Sequence, residues 1–169
     1  MTQGNIDIAH LNNWHLDLNY QAHQSPLSGF NFVDREDINR YKQEQIIAHI
    51  HKGIEFEQFF VDYFSHLHSH VFAVSKMLPG MILPYHTDEY AYFRNINNVT
   101  HNQIIRIIVF LEDWKSGHIS EVNGRSITNW KQGDWIQWIG TTPHMAANLG
   151  LTDRYTLQIT GVMNDSGMR

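Results

Sequence analysis

Beyond residue 70 the chain advances in short runs rich in β-branched and aromatic residues, at 71–77, 81–85, 104–111, 118–122, 125–128, 135–139, 144–148 and 155–161. Runs of this length and composition predict strands. The punctuation between them, Pro79-Gly80, Asn123-Gly124, Gln132-Gly133 and Gly150, is that of tight turns, and Asn123-Gly124 predicts a two-residue hairpin. Before residue 70 the pattern is mainly helical. Asp34 followed by Arg35-Glu36-Asp37 has the form of an N-cap with an acidic first turn, and Ile38, Tyr41, Ile46, Ile47 and Ile50 continue at helical spacing to Gly53. A second helix is predicted over 55–64. The sum is a mainly β chain with N-terminal helices (α+β). It reads as one domain over 1–169, with a helical supporting region at 1–70 and a double-stranded β-helix, or jelly roll, at 71–163.

Composition narrows the function classes. At 169 residues, with 42% hydrophobic and 17% charged positions, the chain can bury one sizeable core, and no run approaches the length of a membrane span. The N-terminus lacks a basic start followed by an apolar stretch, so a cytoplasmic protein is expected. There is no cysteine, which removes disulfides and thiolate metal sites. A formal net charge of -5 with only 12 Lys and Arg disfavours nucleic acid as a partner, because that affinity depends on neutralising phosphates. A small-molecule or peptidyl substrate is expected instead.

The 12 histidines make candidate chemistry easy to find and hard to choose. His66, His68 and His70 cluster before a strand and read as a solvated turn. The triplet His-x-Asp occurs as His15-Leu16-Asp17 and as His86-Thr87-Asp88. The first lies far from the strand series and reads as local or surface. The second closes the strand at 81–85, where residues two apart share a face, so both side chains can reach one metal. His101, His118 and His144 are candidates for a third ligand. His144 is preferred because Arg154 begins RYTLQIT ten residues later, where Arg154, Thr156, Gln158 and Thr160 share one face and Tyr155, Leu157 and Ile159 the other. A guanidinium buried in a two-sided sandwich requires an anion, internal or bound.

The set His86, Asp88, His144, Arg154 and Thr156 resembles the Fe(II)- and 2-oxoglutarate-dependent dioxygenases, whose pattern is HxD, a distal His, then RxS or RxT. The surrounding PGMILPYHTD and GDWIQWIGTTPHMAANLG are also similar to that family. The resemblance spans 71–161. It implies Fe(II) on His86, Asp88 and His144, 2-oxoglutarate as cosubstrate held by Arg154 and Thr156, and O2 as oxidant. It also implies oxidative decarboxylation to succinate coupled to hydroxylation of a substrate.

Further positions are candidates for substrate or cosubstrate contacts: Arg106 inside IIRIIVFL, and Tyr85, Tyr92, Trp138 and Asn148. For Arg106 an internal ion pair is the favoured reading, and for the aromatics plain packing competes. The polar, aromatic segment 89–102 has the character of a substrate-covering loop. A cupin pattern, G(x)5HxH then H(x)3N, is similar to Gly80, His86, His144 and Asn148, but departs from it at Asp88. A cupin-like metal enzyme that does not use 2-oxoglutarate is therefore the alternative, followed by a non-catalytic jelly-roll binding module.

Overall fold

The structure, a computed structural model, describes residues 1–22, 30–32, 46–49 and 56–164. Eight strands form the jelly roll: β5 (Leu67–Met77), β6 (Met81–Asp88), β7 (Ile104–Phe110), β8 (His118–Val122), β9 (Arg125–Ile127), β10 (Asp134–Ile139), β11 (His144–Asn148) and β12 (Arg154–Met163). Among the described residues four short strands precede them, β1 (Thr2–Asn5), β2 (Gln21–Ala22), β3 (Phe30–Phe32) and β4 (Ile46–His49). The strands form two antiparallel sheets, a larger one ordered β1-β10-β7-β12-β5-β4-β2 and a smaller one ordered β3-β6-β11-β8-β9. Consecutive strands of the jelly roll cross between the sheets, except for the β8–β9 hairpin. The double-stranded β-helix expected from the strand spacing is the fold observed.

The turns form where the sequence places backbone freedom. Asn123 and Gly124 both have positive φ (51° and 74°), the type I′ signature that matches strand twist in the β8–β9 hairpin. At Pro79-Gly80, the ring presets the first turn residue and Gly80 takes φ 84°, closing the β5–β6 turn with Met81 N–H donating to Leu78 C=O at 3.1 Å.

The N-terminal region differs from the helical expectation. Most of the helix predicted over 34–53 falls outside the described residues. Ile46–His49, counted within it, form β4, which pairs with β5 from Ile46 opposite Met77 to His49 opposite Val74. Adjacent isoleucines fit either period, and β-branched residues gain more on a pleated surface beside a long strand edge. The second helix is present as α1 (Glu57–Tyr63). It covers the outer face of the larger sheet, where Phe60 and Phe64 pack with Phe72, Val74, Ile105, Ile107, Val109, Leu157 and Ile159. A further helix, α2 (Ala91–Asn97), lies within the segment 89–102 expected as a loop.

That outer face holds the main core, so the inner face of the same sheet is free for other chemistry. Strand alternation puts the odd positions of β7 and β12 outward, onto α1. The even positions, Arg106, Arg154, Thr156, Gln158 and Thr160, turn inward between the sheets. The inner apolar residues are fewer and bulkier: Phe110, Val122, Trp130, Ile136 and Trp138.

Gly133 ties the N-terminal strand to the barrel. Its N–H donates to Phe110 C=O (2.8 Å), its carbonyl accepts Ile6 N–H (2.9 Å), and its φ is 85°. A Cβ there would fall onto the Ile6 carbonyl oxygen, whereas a Cβ on Gly124, also at positive φ, would meet nothing within 4 Å. Gly124→Ala should therefore lose about 1 kcal/mol and Gly133→Ala clearly more, about 3 kcal/mol, by urea denaturation. Equal losses would mean that backbone sign alone, and not the packing of Ile6, sets the requirement.

Candidate metal centre

Three side chains converge inside the jelly roll at one end. His86 and Asp88 come from the end of β6 and His144 from the start of β11, directly opposite His86 in register. Their ligand atoms all lie within 4.8 Å of one another. His86 Nε2 is 3.4 Å from Asp88 Oδ1, and His144 Nε2 is 3.7 Å from Asp88 Oδ2. His86 is fully buried and Asp88 nearly so.

Local backbone chemistry orients each imidazole. The β6–β11 register shifts between His144 and Ala146, leaving one extra residue on β6 at Pro84-Tyr85. Proline has no N–H for the ladder, so a bulge is tolerated at that point. The Pro84 carbonyl accepts from His86 Nδ1 at 2.7 Å. The Thr142 carbonyl does the same for His144 Nδ1 at 3.0 Å. Each hydrogen bond fixes the tautomer with the Nε2 lone pair turned to the Asp88 side, the arrangement that metal-bound histidines adopt.

The ionisation states agree with a donor set. Burial lowers the His144 pKa to about 4, with Asp88 opposing and His86 adding to the shift, so His144 is neutral at pH 7. Burial alone would raise the Asp88 carboxyl, but Arg106, then His86 and His144, outweigh it and hold the pKa well below the usual carboxylate value. Two imidazoles and one carboxylate on one face suit Fe(II), and the donor set fits that ion.

Arg106 reaches this group from β7. Its Nη2 donates to Asp88 Oδ2 at 2.8 Å, its Nε to the Tyr90 hydroxyl at 3.1 Å and its Nη1 to Gln158 Oε1 at 3.3 Å. Gln158 in turn donates to Ser75 Oγ at 2.7 Å. The guanidinium is thus committed to the protein and leaves Asp88 Oδ1 facing His86.

Arg154 lies on the same inner face of the larger sheet and is differently placed. It is 6% exposed, its Nη2 donates to Ser120 Oγ at 2.5 Å, and its guanidinium stands 5.6 Å from the Trp130 ring centre. Its Nε has no hydrogen-bond partner, and among the described residues no carboxylate forms an ion pair with it. Burial lowers its pKa to about 10, which still leaves it charged at neutral pH. Thr156, two residues on, is buried on the same face.

The remaining candidates separate. Trp138 is 5% exposed and its ring lies 4.9 Å from that of His144. Tyr85 does not line the interior. It neighbours His86, so strand alternation sends it outward, where its hydroxyl accepts from Gly124 N–H at 2.5 Å. Tyr92 stands 79% exposed on α2, away from the buried group. Asn148 is buried but spends its amide on the backbone, donating to Met77 and Thr152 carbonyls (both 2.8 Å) and accepting from Gly150 N–H. Of the other histidines, His118 is buried against Thr152 C=O at 3.2 Å, and His101 sits 3.7 Å from Glu89, outside the triad. His15 and Asp17 lie on a 3-10 turn that buries the histidine and exposes the aspartate. His66 and His68 are exposed, but His68 and His70 lie within β5 and not in a turn before it. Ser120, Trp130 and Tyr90 were not singled out from the sequence. Only Ser120 carried a signal, as a polar residue at an inward position of its strand.

Two tests follow from these contacts. Arg106→Met should destabilise the metal-free protein by about 3–5 kcal/mol, because it strands a buried carboxylate, and adding Asp88→Leu should recover part of the loss. Purely additive losses would show that the pair is not coupled. Because the folded-state pKa of His144 is depressed, the unfolded chain binds the proton more readily between pH 6.5 and about 4. Stability of the metal-free protein should therefore fall as pH drops through that window, and His144→Gln should flatten the slope measured by urea titration. An unchanged slope in the variant would mean that His144 does not titrate this way.

No family model and no curated protein matches the chain. Solved structures similar to it include a predicted oxalate decarboxylase from Thermotoga maritima, with 18% identity, covering 70% of this chain and 81% of that one, TM-score 0.44. KdgF from Halomonas sp. is 13% identical over 90% of this chain and 94% of its own, TM-score 0.47. The cupin domain of Schizosaccharomyces pombe Cnp3 is 11% identical over 88% and 71%, TM-score 0.48. None of the three is named as a keto-acid oxygenase. At these identities and TM-scores the likeness carries no argument, and the jelly roll itself rests on the strand order given above.

Proposed function

We propose that this chain is an Fe(II)- and 2-oxoglutarate-dependent dioxygenase, a hydroxylase acting on a small molecule, an amino acid or a peptidyl side chain. The observation that carries this reading is Arg154, a buried guanidinium inside the same barrel as the His86, Asp88 and His144 group and, among the described residues, without a carboxylate partner. A buried charge left unpaired is unfavourable, and a bound anion is the simplest way to satisfy it.

His86, His144 and Asp88 would hold the iron. Bound Fe(II) would supply the electron and oxygen chemistry that couples decarboxylation of 2-oxoglutarate to oxidation of a substrate C–H bond. The Pro84 and Thr142 carbonyls keep both imidazoles in the ligating tautomer. Arg106 keeps Asp88 ionised and occupies Oδ2, biasing the carboxylate to present Oδ1. Arg154 would receive the distal carboxylate of the cosubstrate, with Ser120 fixing the guanidinium plane, Trp130 excluding water from one side and the Thr156 hydroxyl adding a donor.

A cupin-like enzyme that does not use 2-oxoglutarate is the second reading. One observation favours it: Gly80 N–H donates to Asn148 C=O at 2.7 Å, so the two cupin-like segments are joined as their shared spacing suggests. That reading names no anion for Arg154, whose hydrogen bond is to the neutral Ser120 hydroxyl.

Anaerobic titration of the metal-free protein with Fe(II) and then 2-oxoglutarate distinguishes the two. The visible metal-to-keto-acid charge-transfer band should appear. Arg154→Lys, which keeps charge but loses the planar fork, should weaken 2-oxoglutarate binding roughly tenfold. Arg154→Met should abolish the band while leaving the metal-free protein equally or more stable, since a desolvated cation is removed. Iron binding without a band would overturn the proposal in favour of the second reading.

A further inference from the structure

Trp138 buries a hydrogen-bond donor beside the metal group and leaves it without an acceptor. Its strand, β10, pairs with β7 so that Trp138 stands opposite Arg106, and both side chains turn inward. The indole packs against the His144 ring at 4.9 Å with the planes 50° apart. Its Nε1–H is fully enclosed and makes no hydrogen bond. Other indoles do not behave this way: Trp114 donates to the His118 carbonyl at 2.8 Å, and Trp135 lies 3.4 Å from the Tyr63 hydroxyl.

The polar groups of the metal cluster are engaged with one another, Asp88 Oδ1 facing His86 Nε2 at 3.4 Å. Arg106 is a donor only, and Gln158 Oε1 and Asp88 Oδ2 both accept from it. The Thr142 carbonyl accepts from His144 Nδ1, and His144 Nε2 belongs to the metal group. A buried donor whose neighbours are donors or occupied acceptors awaits an acceptor that arrives with a ligand. We infer that Trp138 Nε1–H donates a hydrogen bond to an oxygen at the metal-chelating end of the bound keto acid, its 1-carboxylate or 2-oxo group. The inference rests on the 2-oxoglutarate reading, in which Arg154 takes the distal carboxylate. The two unsatisfied N–H groups, Trp138 Nε1 and Arg154 Nε, then serve opposite ends of one ligand. The inner apolar residues Trp130, Phe110 and Ile136 pack in one cluster with Trp138 and form a wall between them.

The test is an indole N–H spectrum of the whole chain labelled with 15N-tryptophan and loaded with Zn(II), a diamagnetic substitute that needs no oxygen control. The chain has 5 tryptophans, and the signal lost in Trp138→Phe identifies the one concerned. On adding 2-oxoglutarate, the Trp138 resonance should move downfield and exchange more slowly with solvent. In parallel, Trp138→Phe should still fold and bind Fe(II) but bind 2-oxoglutarate about three- to tenfold more weakly in the anaerobic titration. If 2-oxoglutarate binds while the Trp138 signal and the Trp138→Phe affinity stay the same, the inference is overturned and the oxygenase reading stands. If wild type fails to bind 2-oxoglutarate in either titration, both fall together.

Discussion

The ion pair between Arg106 and Asp88 is the constraint around which the interior is arranged. A guanidinium at the centre of a buried strand is tolerated only beside an anion, and a carboxylate meant to ligate a cation must stay ionised in an apolar surrounding. At 2.8 Å each group meets the other's need. The remaining donors of Arg106 reach Tyr90 and Gln158, which links three strands of the larger sheet, β7, β12 and β5, to the end of β6 in the smaller one. Tyr90 enters this network from a left-handed backbone position, φ 49°, at the start of α2. The helix that opens the segment after β6 is therefore anchored to the same guanidinium that positions the candidate ligand.

This arrangement is possible because the larger sheet has two unlike faces. Its outward side buries Ile105, Ile107, Val109, Leu157 and Ile159 under α1 and residues 6–11. The hydrophobic core thus lies outside the barrel, and the space between the sheets can hold Arg106, Arg154, Thr156, Gln158 and Thr160 without loss of the main stabilising burial. A conventional sandwich would put its apolar side inward. Here the polar stripe of β12 faces in, and the site follows from that choice of face.

Much of this was legible in the sequence, and the failures have physical causes. Alternation along RYTLQIT separated the inward from the outward residues, and the turn residues located the hairpins. The same alternation joined His86 to Asp88, and applied one residue earlier it would have sent Tyr85 outward. The partner of Arg106 was not readable, because it depends on how β6 and β7 stack across two sheets, which no local pattern encodes. Ile46-Ile47 fitted helix and strand alike until β5 supplied an edge to pair with. The two His-x-Asp triplets differ only in backbone: on β6 two residues apart means one face, whereas on the 3-10 turn Trp14–Asp17 it separates His15 from Asp17. Spacing carries chemistry only through the conformation that realises it.

On the proposed function, the balance of charge inside the barrel would set the order of binding. Arg106 and Asp88 cancel, and His144 is neutral. Among the described residues Arg154 is therefore a positive charge without a carboxylate on the inner face before any cation binds. A divalent metal on the His86, Asp88 and His144 group adds to that charge, and the low dielectric between the sheets makes the excess more costly than it would be in water. A neutral ligand would leave the imbalance in place. A dianion that spans both charges, chelating the metal at one end and meeting Arg154 at the other, relieves most of it. The metal-free protein has less reason to take such a ligand, so anion binding should be coupled to prior metal binding through electrostatics alone.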